Sequence, residues 1–134
     1  MSTSDEPATG LSRAARTAAA WGAILVGLGV ALGAFGAHTL TELVTETRLA
    51  TFETAVRYQV YHGLGLLALA ALAPNGRLAT PAAPFLIAGT LVFTGSLYVI
   101  VAGGPSWFGV VAPLGGVLLI VGWAVAAYRL LRSA

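Results

Sequence analysis

Between Glu53 and His62 the chain sets an acid, a base, an amide, two phenols and an imidazole at the entrance to a strongly apolar stretch. Glu53 and Arg57 stand four apart with the acid first, the favourable order for an ion pair on one helical face. Tyr58 and His62 repeat that spacing on a second face, and Gln59 stands three residues before His62. On a helix, Tyr58, Gln59 and His62 can therefore point together into a protein interior. Imidazole titrates near neutral pH, and an ionisable group within a membrane segment marks a candidate functional site, so His62 is a candidate proton-responsive group or ligand. The competing assignment is a hydrogen-bonded network that pins helices together, and it is favoured because buried polar groups normally exist to be satisfied.

The elements that must position these groups are membrane helices. The 134 residues are 57% hydrophobic and 9% charged, where a soluble domain carries about 25% charged residues. Four stretches, about 17–37, 55–73, 83–103 and 110–130, suit a hydrocarbon core that takes roughly 20 helical residues to cross. The fold class is therefore all-α, an integral membrane four-helix bundle, because lipid offers no partner to stray backbone groups. Residues 1–16 are assigned to a disordered cytoplasmic arm and 17–134 to a single four-span domain. The first span is expected to be retained, since its apolar run exceeds that of a signal peptide and Asp5 and Glu6 precede it. Thr39 and Glu42 suggest a capping box between spans one and two. An amphipathic interfacial segment is expected to start near Thr47 and run unbroken into span two, with Leu49, Phe52 and Val56 on one side and Glu53 and Arg57 on another. Pro81 and Pro84 are expected in the first turn of span three.

The seven basic residues are all arginine, and they cluster at span ends without forming a basic stripe, so nucleic acid is not an expected partner. Placing Arg13, Arg16, Arg77, Arg129 and Arg132 inside leaves only Arg48 and Arg57 outside, which predicts cytoplasmic N- and C-termini. His38, the Glu53 to His62 segment, Ser96 and Tyr98 then approach the same, outer side. Small residues Gly29, Gly33 and Ala37 in span one, and Gly122 and Ala126 in span four, form ridges at spacing four suited to close helix packing or to a homo-oligomer. Thr90, Thr94 and Tyr98 form a polar stripe expected to face the interior.

Two histidines raise the idea of haem ligation, or of a metal site with Glu53. His38 should lie at the interface, however, and His62 about two turns deeper, roughly 10 Å away along upright helices. No metal site and no cofactor are assigned. The absence of cysteine rules out disulfides and thiolate sites, and no phosphate loop or nucleophile–base pairing is present, so no catalytic residue is assigned.

The segments Gly33-Ala-Phe-Gly-Ala-His38, Ala50-Thr-Phe-Glu-Thr-Ala-Val-Arg-Tyr-Gln-Val-Tyr-His62, Phe93-Thr-Gly-Ser-Leu-Tyr98 and Pro113-Leu-Gly-Gly116, with Gly122-Trp123, carry a family resemblance. In them the chain resembles domain-of-unknown-function family 423 of small bacterial inner-membrane proteins, related to the eukaryotic transmembrane protein 256 family. The likeness covers about residues 20–130. Gly63 and Gly65 depart from it where alanine would be expected, as does Thr94 where serine is common. The resemblance implies a four-helix inner-membrane protein and no assigned activity.

The expected function is that of a non-enzymatic accessory or scaffolding membrane protein, with a polar cluster of His38, Glu53, Arg57, Tyr58, Gln59, Tyr61, His62, Ser96 and Tyr98 at its outer end. A lipid bilayer surrounds it, alone or in a homo-oligomer or larger complex. The alternative is a protein handling a small molecule, lipid, quinone, ion or proton through that cluster, and behind it a haem-binding subunit.

Overall fold

A computed structural model of the chain describes residues 10–132. Four long helices follow one another: α1 (Arg13–His38), α2 (Glu46–Leu72), α3 (Ala79–Val101) and α4 (Phe108–Arg132). The disorder expected of the N-terminal arm falls largely on residues 1–9, outside the described residues. Helix α1 begins inside the segment assigned to that arm.

Local chemistry sets the helix ends. Ser12 Oγ accepts from the Ala15 amide at 3.1 Å, and the Ser12 amide donates to the Pro74 carbonyl at 2.7 Å. The start of α1 is thus fastened to the turn between α2 and α3, where Gly76 supplies the positive φ of 83° that the reversal needs. The expected capping box at Thr39 and Glu42 does not form. Thr39 closes α1 through its amide bond to the Phe35 carbonyl, and Leu40–Glu42 is a single 3₁₀ turn without a side-chain cap. The cap of α2 is Thr45, whose hydroxyl accepts from the Arg48 amide. As expected, α2 then runs unbroken, with Phe52 buried and Leu49 and Val56 partly buried, while Glu53 and Arg57 are exposed. Pro81 lies in the first turn of α3, but Pro84 lies inside the helix, in its second turn.

Burial follows one rhythm. In α1 the buried set is Ala15, Ala18, Gly22, Leu25, Gly29 and Gly36; in α4 it is Ala112, Gly115, Leu119, Gly122 and Ala126. Phe52, Ala55, Gln59, His62, Leu66 and Leu69 continue the pattern in α2. Alternating steps of three and four are the heptad of left-handed helix crossing at a shallow angle. The most extensive interfaces are α3 with α4 and α1 with α2; α2 also packs along α3, and α1 meets α3 slightly.

This rhythm relocates the small-residue ridge of α1. A Cβ on Gly22 would stand 2.5 Å from the Gly63 carbonyl, one on Gly29 would meet Val60, and one on Gly36 would meet the Phe52 ring. The close approach therefore runs through Gly22, Gly29 and Gly36. Gly33 has only ordinary contact with Val56, and Ala37 is exposed. In α4, Gly122 does pack closely, against Leu86, and Gly115 receives Phe93; Ala126 is buried in the same core.

A core cluster that includes Ala18, Leu25, Leu66, Leu78, Leu86 and Leu119 fills most of the bundle. A second, built on Leu40, Phe52 and Val101, joins the end of α1, the start of α2 and the end of α3. Helix α2 therefore runs the full length of α1. By length and composition α1, α3 and α4 are apolar enough to cross a membrane. The span expected at 55–73 lies on α2, which falls short of that measure because Arg57, Gln59 and His62 lie in it.

Candidate functional site: two polar clusters on the second helix

Gln59 lies at the middle of α2, opposite the middle of α1, and only 4% of it is exposed. Its Nε2 donates to the Leu25 carbonyl at 2.9 Å, and its Oε1 accepts from the Tyr98 hydroxyl at 2.8 Å. One side chain thus joins three helices. The amide can orient in only one way, because a carbonyl accepts and never donates. The Tyr98 ring packs on Phe52, with centroids 5.5 Å apart.

The stripe expected on α3 faces the interior: Thr90 and Thr94 are buried and Tyr98 is partly so. The Thr90, Thr94 and Ser96 hydroxyls donate to the carbonyls four residues back, at 2.6, 2.8 and 2.6 Å. This is the economical way to close a hydroxyl inside a membrane helix. A pocket of about 400 Å³ between α1 and α3 reaches this network and is lined by Leu25, Leu28, Gln59, Leu91, Thr94 and Tyr98 among others.

His62 lies on the other edge of the buried stripe of α2. Its Nδ1 donates to the Tyr58 carbonyl at 2.6 Å, and its ring lies 6.0 Å from that of Tyr58 and 6.1 Å from that of Trp123. Tyr58 in turn packs on Phe93 at 4.9 Å. Together with Gly116, Leu119 and Ile120 these rings line a groove of about 460 Å³ between α2 and α4.

The nine residues expected as one cluster are thus distributed. Gln59 and Tyr98 form the central network, with Ser96 bonded within its own helix. Tyr58 and His62 line the α2–α4 groove, and Tyr61 is exposed beside Tyr58, with ring centroids 6.2 Å apart. Glu53 and Arg57 are exposed on a shallow pocket with Gly33, Gly36 and Ala37, and among the described residues no ion pair joins them. His38 is exposed at the end of α1. Because Gly63 packs beside Val26, His62 lies level with that residue, roughly 18 Å along α1 from His38. The two histidines cannot share one ion. Among the described residues no group of three or more His, Cys, Asp or Glu side chains could hold a metal.

Sequence reasoning missed the Leu25 carbonyl, which is backbone and leaves no trace in residue type. It also missed Phe93, Gly116 and Trp123 as neighbours of His62. The heptad spacing of Gly115 and Gly122 signals which face of α4 is buried, and so brings Gly116 and Trp123 to its edge.

The family described as "Protein of unknown function (DUF423)" matches residues 32–116. The UPF0382 membrane protein YwdK of Bacillus subtilis is 41% identical over 117 residues, covering 82% of this chain and 94% of the relative. The UPF0382 membrane protein SAB0533 of Staphylococcus aureus is 40% identical over 103 residues, covering 76% and 84%. The UPF0382 inner membrane protein YgdD of Escherichia coli K12 is 38% identical over 110 residues, covering 78% and 83%. No solved structure matches the chain.

Proposed function

The chain belongs to the DUF423 family of membrane proteins of unknown activity, and from that premise we propose that it is a non-enzymatic accessory or scaffolding protein of the bacterial inner membrane. The observation that carries this reading is the closure of the central network. Gln59 uses both ends of its amide inside the bundle, and among the described residues no fully sealed side-chain nitrogen or oxygen lacks a partner. A network so closed holds helices and has no spare group for turnover. Large apolar side chains such as Val30, Leu114 and Val117 are exposed on the outside, as a surface for lipid or for neighbouring proteins requires.

In this reading all four helices cross the bilayer. Helix α2 must do so because its end is tied to the start of α1 at Ser12 and Pro74, while its start packs with the end of α1. Arg13, Arg16, Arg77, Arg129 and Arg132 then stand at one end of the bundle and Arg48 at the other, with Arg57 two residues short of the α2 midpoint, which supports cytoplasmic termini.

The test places a photo-crosslinking residue at Val30 and at Leu114 in native membranes, beside native mass spectrometry of the detergent-purified chain. A discrete adduct with one protein, a second copy or another chain, is expected. A chain that forms no adduct, and that carries a small molecule lost on Gln59→Leu, would overturn the reading and make the central network a binding site.

A further inference from the structure

We propose that the groove between α2 and α4 binds a lipid-soluble aromatic ring bearing a hydroxyl, a quinol, with His62 Nε2 accepting its hydrogen bond between the rings of Tyr58, Phe93 and Trp123. This goes beyond the scaffold reading and uses residues outside the central network.

The Tyr58 carbonyl can only accept, so the proton of a neutral His62 is on Nδ1 and Nε2 presents a lone pair. That nitrogen has no partner among the described residues. It is also not sealed, since no unpartnered side-chain nitrogen or oxygen is fully buried. His62 is only 7% exposed, and the groove that it lines is where that exposure opens. His62 lies less than one turn past Gln59, the midpoint of α2, so phospholipid headgroups and bulk water are roughly 15 Å away in a hydrocarbon core of about 30 Å. An unpaired acceptor at that depth is costly. Whatever satisfies it must dissolve in hydrocarbon and bring a hydrogen-bond donor.

The walls favour a flat ring. The Tyr58 and Phe93 rings close one side and Trp123 another, 6.1 Å from the imidazole. Two glycines keep the space open. Gly65 lets the Trp123 ring lie on the backbone of α2, where a Cβ would stand 2.6 Å from it. At Gly116 a Cβ would meet nothing nearer than Phe93 Cδ2 at 4.0 Å, so the floor of the groove is free. The volume of about 460 Å³ lies in the range of small-molecule sites. Ile120 at the rim is 70% exposed, leaving an exit for an isoprenoid tail into lipid. The polarity selects a redox state: a quinol donates, whereas the oxidised quinone offers only acceptors, which His62 cannot serve. The Tyr58 hydroxyl, which can donate or accept, limits that preference to about tenfold, the worth of one hydrogen bond.

The test is a titration of the protein in phospholipid nanodiscs with decylubiquinol under reductant and with decylubiquinone, read by tryptophan emission. Expected are saturable binding at one site per chain, about tenfold preference for the quinol, and loss of that preference in His62→Leu. Gly116→Leu, which fills the floor and leaves His62 itself unchanged, should abolish binding and keeps the test valid if His62→Leu does not fold. Non-saturable quenching, equal or tighter binding of the quinone, or unchanged binding in folded Gly116→Leu would each overturn the site. None of these results depends on whether a protein adduct forms at Val30 or Leu114, so this inference and the scaffold reading fail separately.

Discussion

Replacing Gln59 by leucine, a side chain of similar size, removes both bonds of the central network, the 2.9 Å bond to Leu25 and the 2.8 Å bond from Tyr98. Side-chain bonds between membrane helices contribute about 0.6 kcal/mol on average. The Leu25 carbonyl keeps its own helical partner, but the Tyr98 hydroxyl is left unpaired in the interior, which adds about 1 kcal/mol. Gln59→Leu should therefore cost about 2 kcal/mol. Tyr98→Phe removes one bond and orphans Gln59 Oε1, for about 1.5 kcal/mol. In the Gln59→Leu background the same Tyr98→Phe change removes a hydroxyl that already lacks its partner, so the double variant should cost no more than Gln59→Leu alone. The resulting coupling is at least about 1.5 kcal/mol. Equilibrium unfolding in mixed micelles, followed by tryptophan emission across the four members of the cycle, measures it. Losses that simply add, near 3.5 kcal/mol in total, would refute the direct coupling of Tyr98 and Gln59.

Gly22→Ala drives a methyl into the Gly63 carbonyl, whereas Gly65→Ala meets only the rim of the Trp123 ring. In the same unfolding assay Gly22→Ala should cost about 2 kcal/mol and Gly65→Ala less than about 1, and the reverse order would refute the backbone crossing. Glu53→Ala and Arg57→Ala should change stability additively, to within about 0.5 kcal/mol, because no ion pair couples the two side chains; a non-additive double variant would reveal one. The chain has no cysteine, so single substitutions report topology without background. A membrane-impermeant maleimide should label Ser106→Cys in intact cells and Asn75→Cys only after lysis, and the opposite pattern would invert the proposed orientation.

The helices were legible in the sequence because length and apolarity alone decide them, and the inward stripe of Thr90, Thr94 and Tyr98 because spacing four marks one helical face. The small-residue ridge was misplaced for an instructive reason. Gly29, Gly33 and Ala37 satisfy the local spacing of one turn, but two long helices crossing at a shallow angle stay in contact at intervals of seven, which selects Gly22, Gly29 and Gly36. The polar run divided because Tyr58 and Gln59, being adjacent, point about 100° apart on a helix, and α2 has protein on more than one side. Its neighbour α1 takes Gln59, and the edge toward α4 takes His62. Thr39 failed as a helix cap because only a single 3₁₀ turn follows it, while Thr45 precedes the longest helix among the described residues.

The glycine crossing and the glutamine are parts of one device. Nε2 of Gln59 reaches a backbone carbonyl of α1, so the two helix axes must lie closer than packed side chains allow. Gly29 supplies that approach: a Cβ there would overlap Val60 Cγ2 at 2.5 Å and would stand 3.7 Å from Gln59 Nε2 itself. A larger residue at this position pushes α2 outward at the level of the amide and lengthens the bond to Leu25 beyond reach, leaving a polar group stranded at mid-bundle. Gly29→Leu should thus cost about 3 kcal/mol from overpacking together with the lost bond. In combination with Gln59→Leu it should cost less than the sum, because the bond can be lost only once. Strict additivity of these two substitutions would mean that the glycine serves packing alone and that Gln59 holds its partners without it.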